Sequence, residues 1–276
     1  MASFFPVTGE ETMDYSQYER IKIDRRGHIL TLTLNRPETR NAIDGRMHNE
    51  LATIFYDVQL DEQADVIVIT GAGSAFSAGG DINWLASLRQ AGSMDHHGAV
   101  DVKKIVFGLL DLEKPIIARI PGPCLGLGAT IALLCDVIYA AESASIGDPH
   151  VRVGLAAGDG GAIIWPQLVG YARAKEYLLT GDLLTAREAE RIGLINHAVP
   201  DEELDRYVYD LAERLANGAT KAIRWTKTVV NIGLKQLAHS MMDASISYEM
   251  HTMATHDHQE AITAFQEKRK PRFNGT

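Results

Sequence analysis

The sequence predicts a mixed α/β core reaching to about residue 200, followed by a helical C-terminal region. Two observations predict it. Between residues 21 and 140, short β-branched or apolar runs alternate with longer segments whose apolar residues recur at helical spacing. Beyond residue 172, helical segments dominate and leave room for one short strand. The length of 276 residues accommodates one main domain with a smaller appendage, and no internal repeat or low-complexity linker divides it.

Taken in order, a polar arm over residues 1–18 carries Glu10, Glu11 and Asp14 and no Lys or Arg. Residues 21–24 and 29–34 alternate or run apolar around Arg25-Arg26-Gly27, which predicts a hairpin ended by Pro37 and the region of Asn41. Met47, Leu51, Ile54, Phe55 and Val58 place a helix over 45–60, and Val66-Ile67-Val68-Ile69-Thr70 forms a buried strand closed by Gly71 and Gly73. The rhythm repeats with a helix over 102–112, a strand over 115–120, a helix over 126–135 and a strand over 137–140. Helices then follow over 172–179, 186–192, 201–217, 220–237 and 241–265, with the short strand near 194–199. The organisation expected is an arm (1–18), an α/β core (19–200) and a helical region (201–276) placed to form subunit contacts or to cover a site.

Composition narrows the function classes. No apolar run approaches the roughly 18 residues of a membrane span, so a soluble protein is expected, with no membrane partner. The N-terminus lacks the basic start and apolar centre of a secretory signal, which makes the cytoplasm the expected location. A formal charge of −9 argues against nucleic-acid binding. Cys124 and Cys135 sit in an apolar stretch and read as buried free thiols. Neither His96-His97, after a polar loop, nor His251, His256 and His258, on a Gln/Glu-rich helix, comes with Cys or a recognised ligand signature; no metal site is expected.

Two Gly-rich loops carry the chemistry: Phe76-Ser77-Ala78-Gly79-Gly80-Asp81 and Pro121-Gly122-Pro123-Cys124-Leu125-Gly126-Leu127-Gly128. Each follows a strand and opens a helix. The first N–H groups of a helix have no internal partner and lie at the positive end of its dipole, where they can hold a developing negative charge. Glycine there lets a substrate carbonyl approach the main chain. Alone, such loops are often no more than tight connections.

These loops occur with Leu34-Asn35-Arg36-Pro37, Asn41-Ala42, the block from Ile69-Thr70-Gly71 to Asp81-Ile82, and Gly122 through Cys135-Asp136. Leu179-Thr180-Gly181, Ala189, Gly193-Leu194-Ile195 and the ending Phe265-Gln266-Glu267-Lys268-Arg269-Lys270-Pro271 follow in order. From about Tyr18 to the C-terminus the chain thus resembles the crotonase (enoyl-CoA hydratase/isomerase) superfamily. The resemblance implies a spiral of repeated β-β-α units with a helical C-terminal region, and assembly as a homotrimer or a dimer of trimers. It implies an acyl-CoA substrate, with coenzyme A as part of that substrate and no separate cofactor. It also implies that the thioester carbonyl sits between the backbone N–H groups of Gly80 and Leu127. Ala78, Gly79, Asp81, Ile82 and Gly126 would complete the substrate and CoA-binding loops.

The chain departs from the hydratases of this family at the two glutamates that position and deprotonate water. Their places fall on Thr130 and His150. Threonine is no effective base near neutral pH, so ordinary syn-hydration is not expected. His150 is followed by Gly158-Asp159-Gly160-Gly161, which puts Asp159 at the start of the helix containing Ile163, Ile164 and Trp165. There the helix dipole is expected to keep it ionised, ready to orient the imidazole as a general base. The plainer readings are an N-cap aspartate and a hydrogen-bonded loop histidine. His48 is the third candidate, though a histidine on an apolar-spaced helix is usually structural. The three resemble the polar residues of the branch that hydrolyses carbon–carbon bonds in cyclic β-diketones, the oxo-camphor hydrolase type. That branch shares the His-x-Glu-Leu, Pro-His, Gly-Asp-Gly and Trp-Pro settings but has a tryptophan where Ile43 stands, and its late acid falls near His251 rather than on Glu249. His251 and Glu249 remain candidates to reach a pocket from the helical tail.

Three functions are therefore in view. The leading one is an enzyme, of lyase, isomerase or hydrolase type, acting on an acyl-CoA thioester through an oxyanion or enolate. The second is a hydrolase of β-dicarbonyl substrates that does not need CoA. The third is a non-catalytic acyl-CoA-binding protein.

Overall fold

The computed structural model describes residues 13–90 and 96–276. The chain opens with β1 (Ile21–Arg26) and β2 (Ile29–Leu34), paired antiparallel with Ile21 opposite Leu34 and Arg26 opposite Ile29. Helix α1 (Gly45–Leu60) is capped by Asp44, whose Oδ1 accepts the Met47 N–H at 2.8 Å, and buries Met47, Leu51, Ile54, Phe55 and Val58. It leads to β3 (Val66–Gly71), buried along its whole length. Helices α2 (Ile82–Gln90) and α3 (His96–Asp111) precede β4 (Ile116–Ile120). The chain continues through β5 (Cys124–Leu125), α4 (Leu127–Leu133), β6 (Val137–Ala141) and β7 (Ser145–Gly147). Then come a 3-10 turn (His150–Val153), α5 (Gly161–Thr180), β8 (Leu184–Thr185), α6 (Ala186–Arg191) and β9 (His197–Val199). Helices α7 (Leu204–Ala216), α8 (Thr220–Met253) and α9 (His256–Gln266) end it.

The main sheet runs β1-β2-β3-β4-β6-β9 and is parallel from β2 onward. Parallel neighbours require crossovers, and each crossover places a helix or a short strand off the main sheet. Three of those short strands make a second sheet, β5-β7-β8. This is the α/β spiral with a helical end expected from the sequence. The second sheet was not expected, because strands of two or three residues are too short for any alternation to register. The tail also differs: instead of separate helices over 220–237 and 241–265, α8 runs unbroken to Met253. Ser240 does not interrupt it, since its hydroxyl bonds back to Leu237 O at 2.7 Å. The break falls at Ala254-Thr255, where Thr255 caps α9.

The early part of the chain is fastened to α1. Buried Glu50 accepts the N–H groups of Glu19, Arg20 and Ile21, and the Tyr15 and Tyr18 hydroxyls donate to Asp61 and Asp57. Residues 1–12 of the expected arm lie outside the described residues. Cys124 and Cys135 are buried free thiols, and burial pushes both well above the usual thiol range. No helix among the described residues is long and apolar enough to cross a membrane.

Candidate active site

The two Gly-rich loops lie side by side. Ser77 and Cys124 form a parallel bridge, Phe76 N–H donates to Pro123 O at 3.0 Å, and Leu125 N–H donates to Ser77 O at 3.0 Å. Glycine permits this approach: a Cβ on Gly122 would stand 2.0 Å from Ser74 O, and one on Gly128 2.6 Å from Ser77 Cβ. The first loop is also strapped to Ile43, whose N–H donates to Gly79 O and whose carbonyl accepts Asp81 N–H. That pairing skips Gly80, and no backbone bond among the described residues takes the Gly80 N–H. Leu127 is the first residue of α4, so its N–H has no acceptor within the helix.

Side chains hold the first loop from behind. Arg36 Nη1 donates to Asp81 Oδ2 at 3.0 Å and to Ala42 O at 2.6 Å, and Asp81 Oδ1 accepts the Asn83 N–H at the start of α2. Buried Ser77 donates to Asn41 O and accepts Gly79 N–H, while Asn41 Nδ2 donates to Ala72 O and Ala75 O.

A cavity of about 460 Å³ opens between the loops. It is lined by Ala78, Gly79, Gly80, Asp81 and Ile82 from one side and Gly126 and Leu127 from the other, together with His48, His150, Asp159 and Glu249. Leu85, Val102, Val153, Leu155, Met253 and Phe265 give it an apolar wall. His48, His150, Asp159 and the residues of both Gly-rich loops read from the sequence therefore meet at one cavity. The helical tail reaches it through Glu249, Met253 and Phe265, while His251 is exposed and does not line it.

His150 is the centre of a buried ionic cluster. Its Nδ1 donates to Asp148 Oδ1, and its Nε2 lies 3.4 Å from Asp159 Oδ2 and 3.9 Å from Glu249 Oε1. Thr130 donates its hydroxyl to Asp159 Oδ1 at 2.9 Å. The segment is tied to the second loop by Gly126 N–H donating to Gly147 O, and a Cβ on Gly126 would lie 3.6 Å from His150 Cε1. The turn before α5 has room for these acids because it is glycine. A Cβ on Gly158 would meet Glu249 Cβ at 2.5 Å, and one on Gly161 would stand 2.1 Å from Asp148 Oδ2.

Charge and burial pull in opposite directions here. Burial alone would lower the His150 pKa, but Asp148 and Asp159, with Glu249 beyond them, outweigh it and hold the imidazole well above its ordinary value. Glu249 is raised to about 8, first by burial and then by the neighbouring aspartates, against the pull of His150. Asp159 is raised as well, first by burial and then by Asp148, against the pull of His150 and the Thr130 bond. Desolvation thus works against the helix-dipole effect expected from the sequence. Asp159 stands two residues before α5, which Gly160 precedes without a side-chain cap, and accepts Gly161 N–H at 3.4 Å. The aspartate at Nδ1 is Asp148, which the sequence reading passed over.

His48 stands on the opposite wall, its ring centroid 5.1 Å from that of Trp84. Burial lowers it to about 4, with Asp101 pulling the other way. It is a neutral imidazole at pH 7. Asp148, His150 and Asp159 bring possible metal-ligand atoms within 4.8 Å of one another. Of the two ring nitrogens, Nδ1 is engaged by Asp148 and Nε2 faces Asp159. His258 is buried with Nδ1 donating to Val153 O at 2.7 Å, His256 is exposed, and the side chains of His96 and His97 lie outside the described residues.

The sequence profile described as enoyl-CoA hydratase/isomerase matches residues 24–276. The crotonyl-CoA hydratase of Syntrophomonas wolfei is 36% identical over 262 residues, covering 93% of this chain and 98% of that protein. The 2,3-dehydroadipyl-CoA hydratase of Escherichia coli is 32% identical over 258 residues, covering 92% and 98%. A crystal structure of an enoyl-CoA hydratase/isomerase from Mycobacterium paratuberculosis superposes with a TM-score of 0.84 at 35% identity, covering 88% of this chain and 97% of that one. The chain belongs to the enoyl-CoA hydratase/isomerase, or crotonase, family of enzymes.

Proposed function

We propose that this enzyme binds an acyl-CoA thioester with its carbonyl between the N–H groups of Gly80 and Leu127, and moves a proton with His150 flanked by Asp159 and Glu249. The observation that carries this reading is the shared cavity. Two main-chain donors without backbone acceptors face a space whose lining also holds a largely buried imidazole among carboxylates. An oxyanion or enolate formed there gains from preorganised donors in a dry site, where removing one donor costs roughly 3 kcal/mol. Thr130 and His150 stand where hydratases of the family are expected to carry glutamates, so the proton chemistry differs from ordinary syn-hydration. Thr130 bonds Asp159 instead of acting on water. Isomerisation, hydration by the imidazole, or hydrolysis of the thioester are the reactions in reach. Coenzyme A enters as part of the substrate.

A second reading is hydrolysis of a β-dicarbonyl compound without CoA. It is favoured by His48, a neutral imidazole facing the same cavity, which can hydrogen-bond a second carbonyl, and by the absence of Lys and Arg among the cavity-lining residues described. Assay of the wild type, His150→Ala and Asp159→Asn against enoyl-CoA, acyl-CoA and cyclic β-diketone panels separates the readings. Turnover of a CoA ester, lost in both variants, is the expected result. Wild-type turnover in both variants removes the proton-transfer assignment, and turnover of diketones with no CoA-ester binding replaces the first reading by the second.

Assembly as a homotrimer or dimer of trimers belongs to the same proposal. Trp225, Val229 and Ile232 stand exposed along one stripe of α8, an apolar face that a neighbouring copy would cover. Light scattering of the purified protein at a mass of three or six chains is the expected outcome; a monomer would contradict it.

A further inference from the structure

Three carboxylates surround one imidazole, and they are not equivalent. Asp148 meets Nδ1, whereas Asp159 and Glu249 both face Nε2, at 3.4 and 3.9 Å. Asp148 is held in place by its surroundings. It closes β7, its Oδ1 accepts the His150 backbone N–H at 3.3 Å as well as the ring, and its side chain is 1% exposed. Its Oδ2 lies against Gly161, the first residue of α5, where any side chain would displace it. The local turn Asp148-Pro149-His150 adds a second constraint, since the proline restricts the backbone between carboxylate and ring.

We infer that Asp148 is the positioning residue of the site: it takes the Nδ1 proton of His150 and so holds the ring with Nε2 toward the cavity, Asp159 and Glu249. A neutral imidazole has one N–H, and the bond made by one nitrogen decides what the other can do. With Nδ1–H committed to Asp148, Nε2 is the atom through which the ring exchanges its second proton, giving it up as an acid from the charged form and taking one back as a base in the neutral form. The proton then resides on Nε2, in ion-pair distance of Asp159 and Glu249, and leaves by the same atom. Asp159, often the natural choice for an orienting acid because of its place before a helix, is left to stabilise the charged ring from the Nε2 side, its other oxygen held by Thr130. The groups that bear on the ring's protonation are accordingly Asp148 from the β7 end, Asp159 from the turn before α5, and Glu249 from α8.

This inference rests on the reading that His150 moves the proton, and its test is independent of the substrate. In protein labelled with ¹⁵N-histidine, the His150 ring signals are identified by their loss in His150→Gln and followed against pH. The expected result is a ring that titrates well above an ordinary histidine and keeps Nδ1 protonated in its neutral form. In Asp148→Asn its midpoint falls by about one pH unit or more and the Nε2–H tautomer appears. On the best substrate of the panel, Asp148→Asn lowers kcat by roughly ten- to a hundredfold, with KM within about threefold. Asp148→Glu restores part of the titration shift. If Asp148→Asn does not fold, the tautomer of the wild type decides alone: a neutral ring carrying its proton on Nε2 overturns the inference. An unaltered ring titration in Asp148→Asn also overturns it while leaving the proposed function intact. Retained turnover in His150→Ala overturns the proposed function instead.

Discussion

One half of the cavity is built from main chain, the other from buried ionisable side chains. The donors of Gly80 and Leu127 are amides whose orientation is set by strand ends, a bridge to Ile43 and the start of α4. They do not titrate, and most substitutions leave them in place. The His150 cluster is assembled from β7, the turn before α5, α4 and α8, and its charge state depends on burial balanced against three carboxylates. The first half can stabilise a negative charge at any pH that preserves the fold. In the proposed function the second half moves the proton, so it carries the sensitivity to pH.

That contrast can be broken most strongly at His150. His150→Ala should lower kcat by roughly a hundred- to ten-thousandfold, with a smaller change in substrate binding, measured by steady-state kinetics and ligand titration. An equal loss in binding would mean that the two halves do not act separately. Gly161→Ala comes next, because its methyl would stand 2.1 Å from Asp148 Oδ2. It should destabilise the protein by about 1–3 kcal/mol in denaturant unfolding and lower kcat by disturbing Asp148 and the His150 ring, while the Gly-rich loops keep their ligand affinity.

Glu249→Gln probes the charge of the side-chain half. The folded-state pKa of Glu249 is raised from 4.5 to about 8, so the folded protein holds a proton that the unfolded chain releases. Its stabilising contribution is full below about 4.5 and is lost as pH rises through about 8. The glutamine variant should therefore lose less stability than the wild type between pH 5 and 8 in parallel unfolding curves. A steeper loss in the variant would reverse the sign and refute the assignment. The smallest effect is expected at His48, which is already neutral across that range. His48→Gln should leave the shape of the pH–rate profile unchanged, whatever it does to substrate preference.

The same division explains what was legible in the sequence. The hairpin, α1 and the alternation through β6 follow from local periodicity, and the loops announce themselves by glycine next to strand and helix ends. The cluster depends on contacts distant in sequence. Glu249 could be offered only as a residue that reaches a pocket, although it shares a buried stripe with Met242, Ile246 and Met253 on α8; an acid on such a stripe is the signal that marks it. Asp148 was missed because a helix-start argument favoured Asp159. A signal was present in the spacing of Asp148-Pro149-His150, where an aspartate bonds the backbone N–H two residues on. Desolvation, which opposes the helix dipole at Asp159, has no local signature.

The central claim is that a backbone N–H at Leu127 stabilises the reacting oxygen, and one pair of variants addresses it directly. Leu127 is the first residue of α4, where proline is well tolerated in a helix yet carries no N–H. Leu127→Ala keeps the amide and Leu127→Pro deletes it, so turnover of the two on the same substrate, with folding checked by circular dichroism, isolates the donor. The account predicts that Leu127→Ala stays within about tenfold of wild type and that Leu127→Pro, folded, falls a further hundredfold or more. Equal turnover in the two folded variants would contradict it.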